Sequence, residues 1–297
     1  MTRDFLGYND NPQDIRWPGD AGIAVSVVLN IEEGAELSIN DGDESNESVH
    51  EVTQPVHGAP DLCLASHFEY GTRAGYRRIA DVAQAAGVPM TLNACARALI
   101  GVPWLARDAV QRGHEISAHG WRWEAHAGMD EDHERKLIAR AHAEITRVSG
   151  VSPVGWHTKS SPSVNTRRLL VEHGGFEYDS DAYNDDLPYY LPVAGRSHLV
   201  LPYAFDTNDM RFFGTHAFVH AKDFAEYVID AFDWLLSESR HEARMMSLGL
   251  HLRIIGRPGR ISGLETVLKH MGARKGVWFA RRDQIARYWR KVCPPAE

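Results

Sequence analysis

Short apolar strands alternate with amphipathic helices along almost the whole chain, and this alternation constrains the fold most. The first strand, Ile23–Asn30, is apolar and rich in β-branched residues, as expected of a strand buried on both faces. The first helix, Arg73–Ala86, carries an apolar stripe and stops at Gly87. Alternating strands and helices indicate a parallel α/β sheet, and about seven or eight such units predict a TIM-barrel-like (β/α) barrel.

The rest of the chain continues this pattern with no internal repeat and no linker, so we expect a single domain over residues 1–297. Further strands are predicted at Met90–Ala94, His114–Ala118, Val154–Thr158, Phe176–Asp179, Leu199–Tyr203, Met245–His251 and Val277–Ala280. Further helices are predicted within Trp104–Gln111 and at Asp130–Val148, Val164–Glu172, Phe224–Leu236, Leu264–His270 and Asp283–Arg290.

The negative charge of the chain is concentrated in one stretch. The net charge is −8, and eight acidic residues with no Lys or Arg lie between Glu32 and Glu51. Nucleic-acid binding is therefore disfavoured, because it requires a basic surface. A solvated loop is the ordinary interpretation of the stretch Asp41–Glu51, and a lid or a subunit contact is the functional alternative.

Other features favour a cytoplasmic protein. No apolar run approaches the ~20 residues of a membrane span, and the first residues are polar where a signal peptide is apolar. The cysteines Cys63, Cys95 and Cys293 lack CxxC spacing, which indicates neither a disulfide framework nor a cysteine zinc site. We expect a small-molecule substrate, no membrane or nucleic-acid partner, and a homo-oligomer.

Polar residues follow most of the predicted strands. In a parallel barrel the carboxyl ends of the strands meet at one face, so these side chains are expected to converge on a pocket. Carboxylates and histidines together suit hydrolysis, because a carboxylate accepts a proton from water and an imidazole donates one to a leaving nitrogen. The residues concerned are Asn30, Glu32, Glu33, Asn93, His119, His157, Thr158, Asp179, Asp181, Asp206, Asn208, Asp209 and His251.

Each of these residues also has a structural interpretation. A single histidine at a strand end is more often a hydrogen-bonded core group than a catalytic one. Asp179 and Asp181 could cap a turn, and Trp121 and Trp123 could be packing residues. The number of polar strand ends favours the enzymatic interpretation.

The strand-end residues resemble the motifs of the polysaccharide deacetylase family, also called the carbohydrate esterase 4 or NodB-homology family. Its first motif is a strand that ends in two acids before Gly, matched by Glu32-Glu33-Gly34. Its second motif opens with His, matched by His119, and its last is Leu-x-His at a strand end, matched by the strand that reaches His251. The resemblance implies a distorted seven-stranded (β/α) barrel.

The chain is most similar to the allantoinase-like subgroup of that family. The shared phrases include NIEEGAE, EYGTRAG, GHEISAHGWRW, DTNDMRF and GLHLRIIGRPGR, and they extend from Asp4 to beyond Arg260. This similarity implies a hydrolase of non-peptide C–N bonds that acts on a small cyclic amide, ureide or imide.

Two positions depart from the deacetylase pattern. The second metal-binding His of the family is replaced by Trp123, a replacement that the allantoinase-like subgroup shares. The Arg of the third motif has no counterpart in residues 157–160, which read His-Thr-Lys-Ser where allantoinases carry Tyr-Thr-Gly-Arg.

The resemblance assigns roles to individual residues. Glu32 is the expected general base and His251 the expected general acid. Glu33 and His119 are expected to orient the attacking water or to hold a divalent metal such as zinc weakly, since two ligands fall short of the usual three. His126 is the candidate for a third ligand. Substrate contacts are expected from Trp123, His157, Asp206, and Glu69 and Arg73 in a loop after the first strand.

Two other functions stay open at this point. One is a metal-dependent N-deacetylase of amino sugars or polysaccharide. The other is a catalytically inactive carbohydrate-binding barrel.

Overall fold

The computed structural model of the protein describes residues 3–49, 51–52, 54–213 and 217–295. Its strands are β1 Ile23–Ile31, β2 Met90–Ala94, β3 Glu115–Ala118, β4 Gly155–Trp156, β5 Tyr178–Asp179, β6 Tyr189–Val193, β7 Arg196–Val200, β8 Arg244–His251 and β9 Val277–Phe279. They form one sheet in the order β6-β7-β5-β4-β3-β2-β1-β8, with β9 paired to β1. All of these strand pairings are parallel except that of β6 with β7.

Helices connect the parallel strands and cover the outside of the sheet. They are α1 Leu62–Tyr70, α2 Tyr76–Ala85, α3 Ala96–Gly101, α4 Pro103–Gln111, α5 Glu131–Ser149, α6 Thr166–His173, α7 Ala221–Glu238, α8 Ile261–Gly272 and α9 Arg282–Val292. In the described part of the chain, no helix is long and apolar enough to cross a membrane.

The predicted α/β barrel architecture is confirmed, with differences in detail. The described residues form nine strands, one more than the eight that the sequence pattern predicts, because Tyr189–Val193 pairs with β7 as an antiparallel hairpin. The family resemblance implies a barrel of seven strands. The predicted helix Arg73–Ala86 is preceded by α1 and begins with a π-helical turn, Gly71–Gly75, before α2. Helix α3 follows β2 directly and was not predicted.

Strand β1 is the centre of the core. All nine of its residues are buried, and it pairs with β2, β8 and β9. Its apolar, β-branched sequence fits this position because both faces contact side chains rather than water. Glu32 and Glu33, which follow β1, therefore lie at the middle of the carboxyl face, the side of the sheet where the parallel strands end.

The segment after β7 meets β8 at an isolated bridge, Asn208–Gly249, and a buried arginine adds side-chain contacts between them. The Arg282 guanidinium is fully buried there. It donates to Ser180 Oγ at 3.0 Å, Ser247 Oγ at 2.7 Å and the Pro202 carbonyl at 2.9 Å. These bonds tie the end of β5, the segment after β7 and β8 together on the inside of the barrel.

We predict that Arg282→Ala lowers the free energy of unfolding by at least about 3 kcal/mol, because two serine hydroxyls and a carbonyl lose a buried donor. Arg287→Ala on the same helix is the control. Its side chain is half exposed and pairs with Glu177 and Asp283, so about 0–1 kcal/mol is expected. Urea unfolding of both variants measures the difference, and equal losses would contradict the role assigned to Arg282.

Candidate active site

Glu32 is the carboxylate around which the other charged groups are arranged. It follows β1 and is 1% exposed. Its Oε2 accepts a hydrogen bond from Arg253 Nη1 at 2.7 Å. Its Oε1 lies 3.4 Å from His251 Nε2 and 3.7 Å from His119 Nε2. The structure thus brings the predicted base, the predicted acid and His119 together at one oxygen atom.

His251 is held in place by an aspartate. It ends β8, and its Nδ1 lies 2.6 Å from Asp209 Oδ1. Asp209 Oδ2 accepts the backbone N–H groups of His251, at 2.8 Å, and Ile255, at 3.0 Å. The proton on Nδ1 is thereby fixed, and Nε2 is directed at Glu32.

Burial disfavours the protonated form of His251, whereas the neighbouring carboxylates favour it. Burial alone lowers the pKa of an imidazole, but the negative charges of Glu32 and Asp209 raise the pKa of His251 to about 10. Burial also raises the pKa of Glu32, whereas His251 and Arg253 together hold it well below its ordinary value. Glu32 is therefore ionised and His251 protonated at neutral pH.

Glu33 lies against the first turn of the π-helical segment. Its Oε2 accepts the backbone N–H of Glu32 at 3.0 Å, and its Oε1 is buried with no hydrogen-bond partner among the described residues. Burial raises the pKa of Glu33 to about 7. A Cβ atom at Gly71 would overlap this carboxylate, so glycine is required there for close packing.

His119 follows β3, and its ring is fixed by the backbone and by a second histidine. Its Nδ1 donates to the His157 carbonyl oxygen at 2.6 Å, which leaves Nε2 directed at Glu32. The ring stacks on that of His157 with centroids 5.2 Å apart and an angle of 5°. His157 itself is buried, packs against Tyr203 at 4.8 Å, and has its pKa lowered by that burial.

Trp123 forms part of an aromatic wall with Phe68, whose ring centroid lies 6.3 Å away. Trp123 is 6% exposed, and Lys159 Nζ lies 3.7 Å from its ring centroid. The Arg253 guanidinium carbon lies 4.4 Å from the Phe68 ring centroid and 5.4 Å from that of Trp123. The predicted packing and pocket roles of Trp123 are thus both compatible with its position.

Three of the predicted site residues lie outside this cluster. Glu69 and Arg73 pair with each other at 3.1 Å, and their side chains are 58% and 76% exposed. They lie on α1 and on the π-helical turn, rather than in the expected loop. The side chain of Asp206 is exposed and lies 3.4 Å from the Tyr227 hydroxyl. Asp209, three residues later, is the buried carboxylate that contacts His251.

His126 is paired with a carboxylate of helix α5. Its Nδ1 lies 2.9 Å from Glu134 Oε1, and its ring packs edge-on against Trp156. Both partners are buried, so His126 joins helix α5 to the loop after β3. These contacts give it a structural role, and its role as a third metal ligand stays a prediction.

The acidic segment, residues 41–49 and 51, combines exposed residues with paired carboxylates. The exposed residues, as expected of a solvated loop, are Asp41, Gly42, Glu44, Ser45 and Ser48. Four of its carboxylates pair with basic residues that follow strands β2, β3, β4 and β8. The pairs are Asp41–Arg97 at 2.8 Å, Asp43–Arg122 at 2.5 Å, Glu47–Lys159 at 2.9 Å and Glu51–Arg253 at 2.9 Å. The segment is therefore held against the carboxyl face of the sheet, and its role as a lid or a subunit contact stays a prediction.

Arg253 and Glu51 were not identified as site residues from the sequence. Arg253 follows His251 by two positions and is the only charge in the run Leu252-Arg253-Ile254-Ile255. A charge within an apolar run at a strand end is the signal that could have identified it. Glu51 gave no such signal, because it lies among seven other acids.

The donor set does not fit a divalent metal. Among the described residues, no group of three or more His, Cys, Asp or Glu side chains is arranged to hold a metal ion. Trp123 occupies the second histidine position, and His119 Nε2 is directed at Glu32 rather than at Glu33.

The barrel and its carboxylate–imidazolium cluster define a hydrolase, and comparisons with known proteins identify its family. The polysaccharide deacetylase family model matches residues 58–175. A Schizosaccharomyces pombe protein that carries the name polysaccharide deacetylase is 35% identical over 97% of this chain and 97% of its own length.

Two solved structures are similar over the full chain. The crystal structure of Puue allantoinase is 44% identical, with a TM-score of 0.95 over 100% of this chain and 99% of that one. That of a probable polysaccharide deacetylase from Pseudomonas aeruginosa PAO1 is 43% identical, with a TM-score of 0.95 over 100% of both chains. This chain belongs to the polysaccharide deacetylase family and is a hydrolase of carbon–nitrogen bonds other than peptide bonds.

We predict that zinc is lost from the purified protein on dialysis against a chelator, and that hydrolysis continues at the parent rate. Two ligands bind zinc too weakly to retain it, since catalytic sites ordinarily supply three. Trp123→His, which restores the family's second histidine, is the comparison variant and should retain more zinc. Stoichiometric zinc in the dialysed parent, measured by elemental analysis, would contradict the prediction.

Proposed function

We propose that this chain opens the ring of a small cyclic amide, ureide or imide by hydrolysing a ring C–N bond. The observation that carries the proposal is the enclosure of the reacting groups. Glu32, Glu33, His119 and His251 are between 1% and 5% exposed. Carboxylates of the acidic segment pair with basic residues after four of the strands around this cluster. A small ring can be enclosed in such a buried site, whereas a polysaccharide chain needs an open groove.

Glu32 is the base in the proposed reaction. A water molecule next to Oε1 adds its oxygen to the ring carbonyl carbon and transfers a proton to the carboxylate. His119 Nε2, 3.7 Å from that oxygen, orients the water. The low pKa of Glu32 makes it a modest base, but it keeps the carboxylate free of a proton before water binds.

His251 is the acid in the second half of the reaction. When the C–N bond breaks, the ring nitrogen takes the electron pair and receives the proton from His251 Nε2. Asp209 stabilises the imidazolium before this transfer and holds the ring in place. The proton that Glu32 took from water then returns to His251 Nε2, 3.4 Å from Oε1, which restores both groups. The products are a carboxylic acid, which releases its proton to solvent, and an open-chain amine or amide nitrogen, so the ring gains one water molecule overall.

The similarity to Puue allantoinase supports a ureide ring among these candidates, because it covers the whole chain at 44% identity. The segment at residues 157–160 differs from the allantoinase pattern, and here Lys159 contacts both Glu47 and Trp123. We therefore extend the proposal to hydantoins and cyclic imides rather than to allantoin alone.

We predict turnover of at least one ring in a panel of allantoin, hydantoins and cyclic imides, and none of N-acetylated sugar oligomers.

Glu32→Gln should lower the rate by ~10²–10⁴-fold, because it keeps the shape of the side chain and removes the proton acceptor. Glu144→Gln, a carboxylate on the surface of α5 that pairs with Arg147, is the control and should keep the parent rate.

Both variants are compared by circular dichroism to confirm that the fold is intact. Release of acetate from N-acetylated sugars, with no ring in the panel opened, would show that the proposed function is wrong.

A further inference from the structure

Arg253 is a fully buried charged residue next to Glu32, and the proposed reaction gives it no role. The whole residue is 0% exposed. Its Nη1 donates to Glu32 Oε2 at 2.7 Å, and its Nε donates to Glu51 Oε1 at 2.9 Å. The plane of the guanidinium is fixed by these two carboxylates and by the Phe68 ring at 4.4 Å.

One nitrogen of this guanidinium is left over. Nη2 is buried and has no hydrogen-bond partner among the described residues. A buried N–H group without a partner is unfavourable, and each such group in a native structure calls for an explanation. Nη1 of the same guanidinium is hydrogen-bonded to Glu32. The free Nη2 therefore lies within a few ångströms of the reacting carboxylate, where the substrate ring must lie.

Two acceptors near this cluster are also unpartnered. Glu33 Oε1 and Glu51 Oε2 are buried and lack donors among the described residues. A free N–H donor complements a carbonyl oxygen, and a free carboxylate oxygen complements an N–H group. A ring ureide or imide carries both kinds of polar atom.

The anchor for Arg253 comes from the acidic segment. Glu51 Oε1 also lies 3.5 Å from His67 Nε2, so Glu51 is itself held from α1. Without Glu51, Arg253 Nε would lose its acceptor, and the guanidinium would be free to rotate about its hydrogen bond to Glu32. Glu51, which belongs to the acidic segment, therefore fixes the direction of Nη2.

We propose that Arg253 positions Glu32 through Nη1 and binds a carbonyl oxygen of the substrate through Nη2, with Glu51 as the anchor of the guanidinium. This inference rests on the proposed function for the class of substrate. Lysine cannot replace arginine in this role, because an ammonium group is a single point charge and cannot make three contacts in one plane.

The test uses Arg253→Lys, which keeps the buried charge, and Arg253→Ala. We expect Arg253→Lys to lower kcat/KM by ~10²-fold, as for loss of a donor to the reacting group, with both a lower kcat and a higher KM. Arg260→Lys is the matched control from the same loop, since Arg260 contacts the Phe212 and Phe213 rings and no carboxylate. It should keep the parent values within about two-fold.

Chemical rescue separates the proposed role from a merely structural one. Guanidinium chloride at millimolar concentration should restore activity to Arg253→Ala with saturation, and ammonium chloride at the same ionic strength should not. Rescue by both salts, by neither salt, or kcat/KM of Arg253→Lys within about three-fold of the parent would overturn the proposal.

Glu51→Gln is the second variant, and it keeps the shape of the anchor while removing its charge. It should lower kcat/KM by ~10-fold in a folded protein, and an unchanged value would overturn the anchor role. All variants are assayed on the substrate that the parent turns over fastest. If that substrate is an N-acetylated sugar, the proposed function fails while the Arg253 comparison still gives a result. If it is a ring and Arg253→Lys is unaffected, only this inference fails.

Discussion

The structure depends on one buried carboxylate and the positive charges that surround it. Removing Glu32 from water is unfavourable unless cations and hydrogen bonds replace its hydration. His119, His251 and Arg253 meet this need, and they come from the ends of two further strands, β3 and β8. A charge cluster that is assembled from separate strand ends requires the barrel to be formed before the site exists.

The same requirement explains why the acidic segment is so fully paired. Arg253 is fully buried and contacts two carboxylates, one of which the acidic segment supplies as Glu51. Three further acids of the segment pair with Arg97, Arg122 and Lys159, which follow β2, β3 and β4. Enclosure of the site and placement of its charges are thus produced by the same contacts. In a water-excluded site these charges interact more strongly than they would at the surface.

The sequence pattern predicts the barrel, and with the family resemblance it predicts the four central residues. Glu32, Glu33 and His119 come shortly after predicted strands and His251 ends one, so periodicity places them on one face together with other polar residues. The resemblance is what singles out these four. The antiparallel strand Tyr189–Val193 was missed, because its five residues include a proline and carry little periodic signal. Strands of two residues, such as β4 and β5, are likewise below the length at which periodicity indicates bounds.

The partners of the central residues could not be predicted, because they depend on contacts between distant parts of the chain. Glu51 and Arg253 are separated by 202 residues, and no local pattern links them. Asp206 and Asp209 have similar surroundings in the sequence, and only the turn that follows β7 decides which of them is buried. Glu69 and Arg73 have the spacing of a helical surface pair, and the structure shows that pair.

The central claim is that His251 is an imidazolium that faces an ionised Glu32 before substrate binds. The most direct measurement is the ¹⁵N NMR spectrum of the His251 side chain, assigned by comparison with His251→Gln, across the range from about pH 6 to pH 9. The account predicts two protonated ring nitrogens throughout, since the pKa of His251 is about 10. A neutral ring with one unprotonated nitrogen at pH 7 would contradict it.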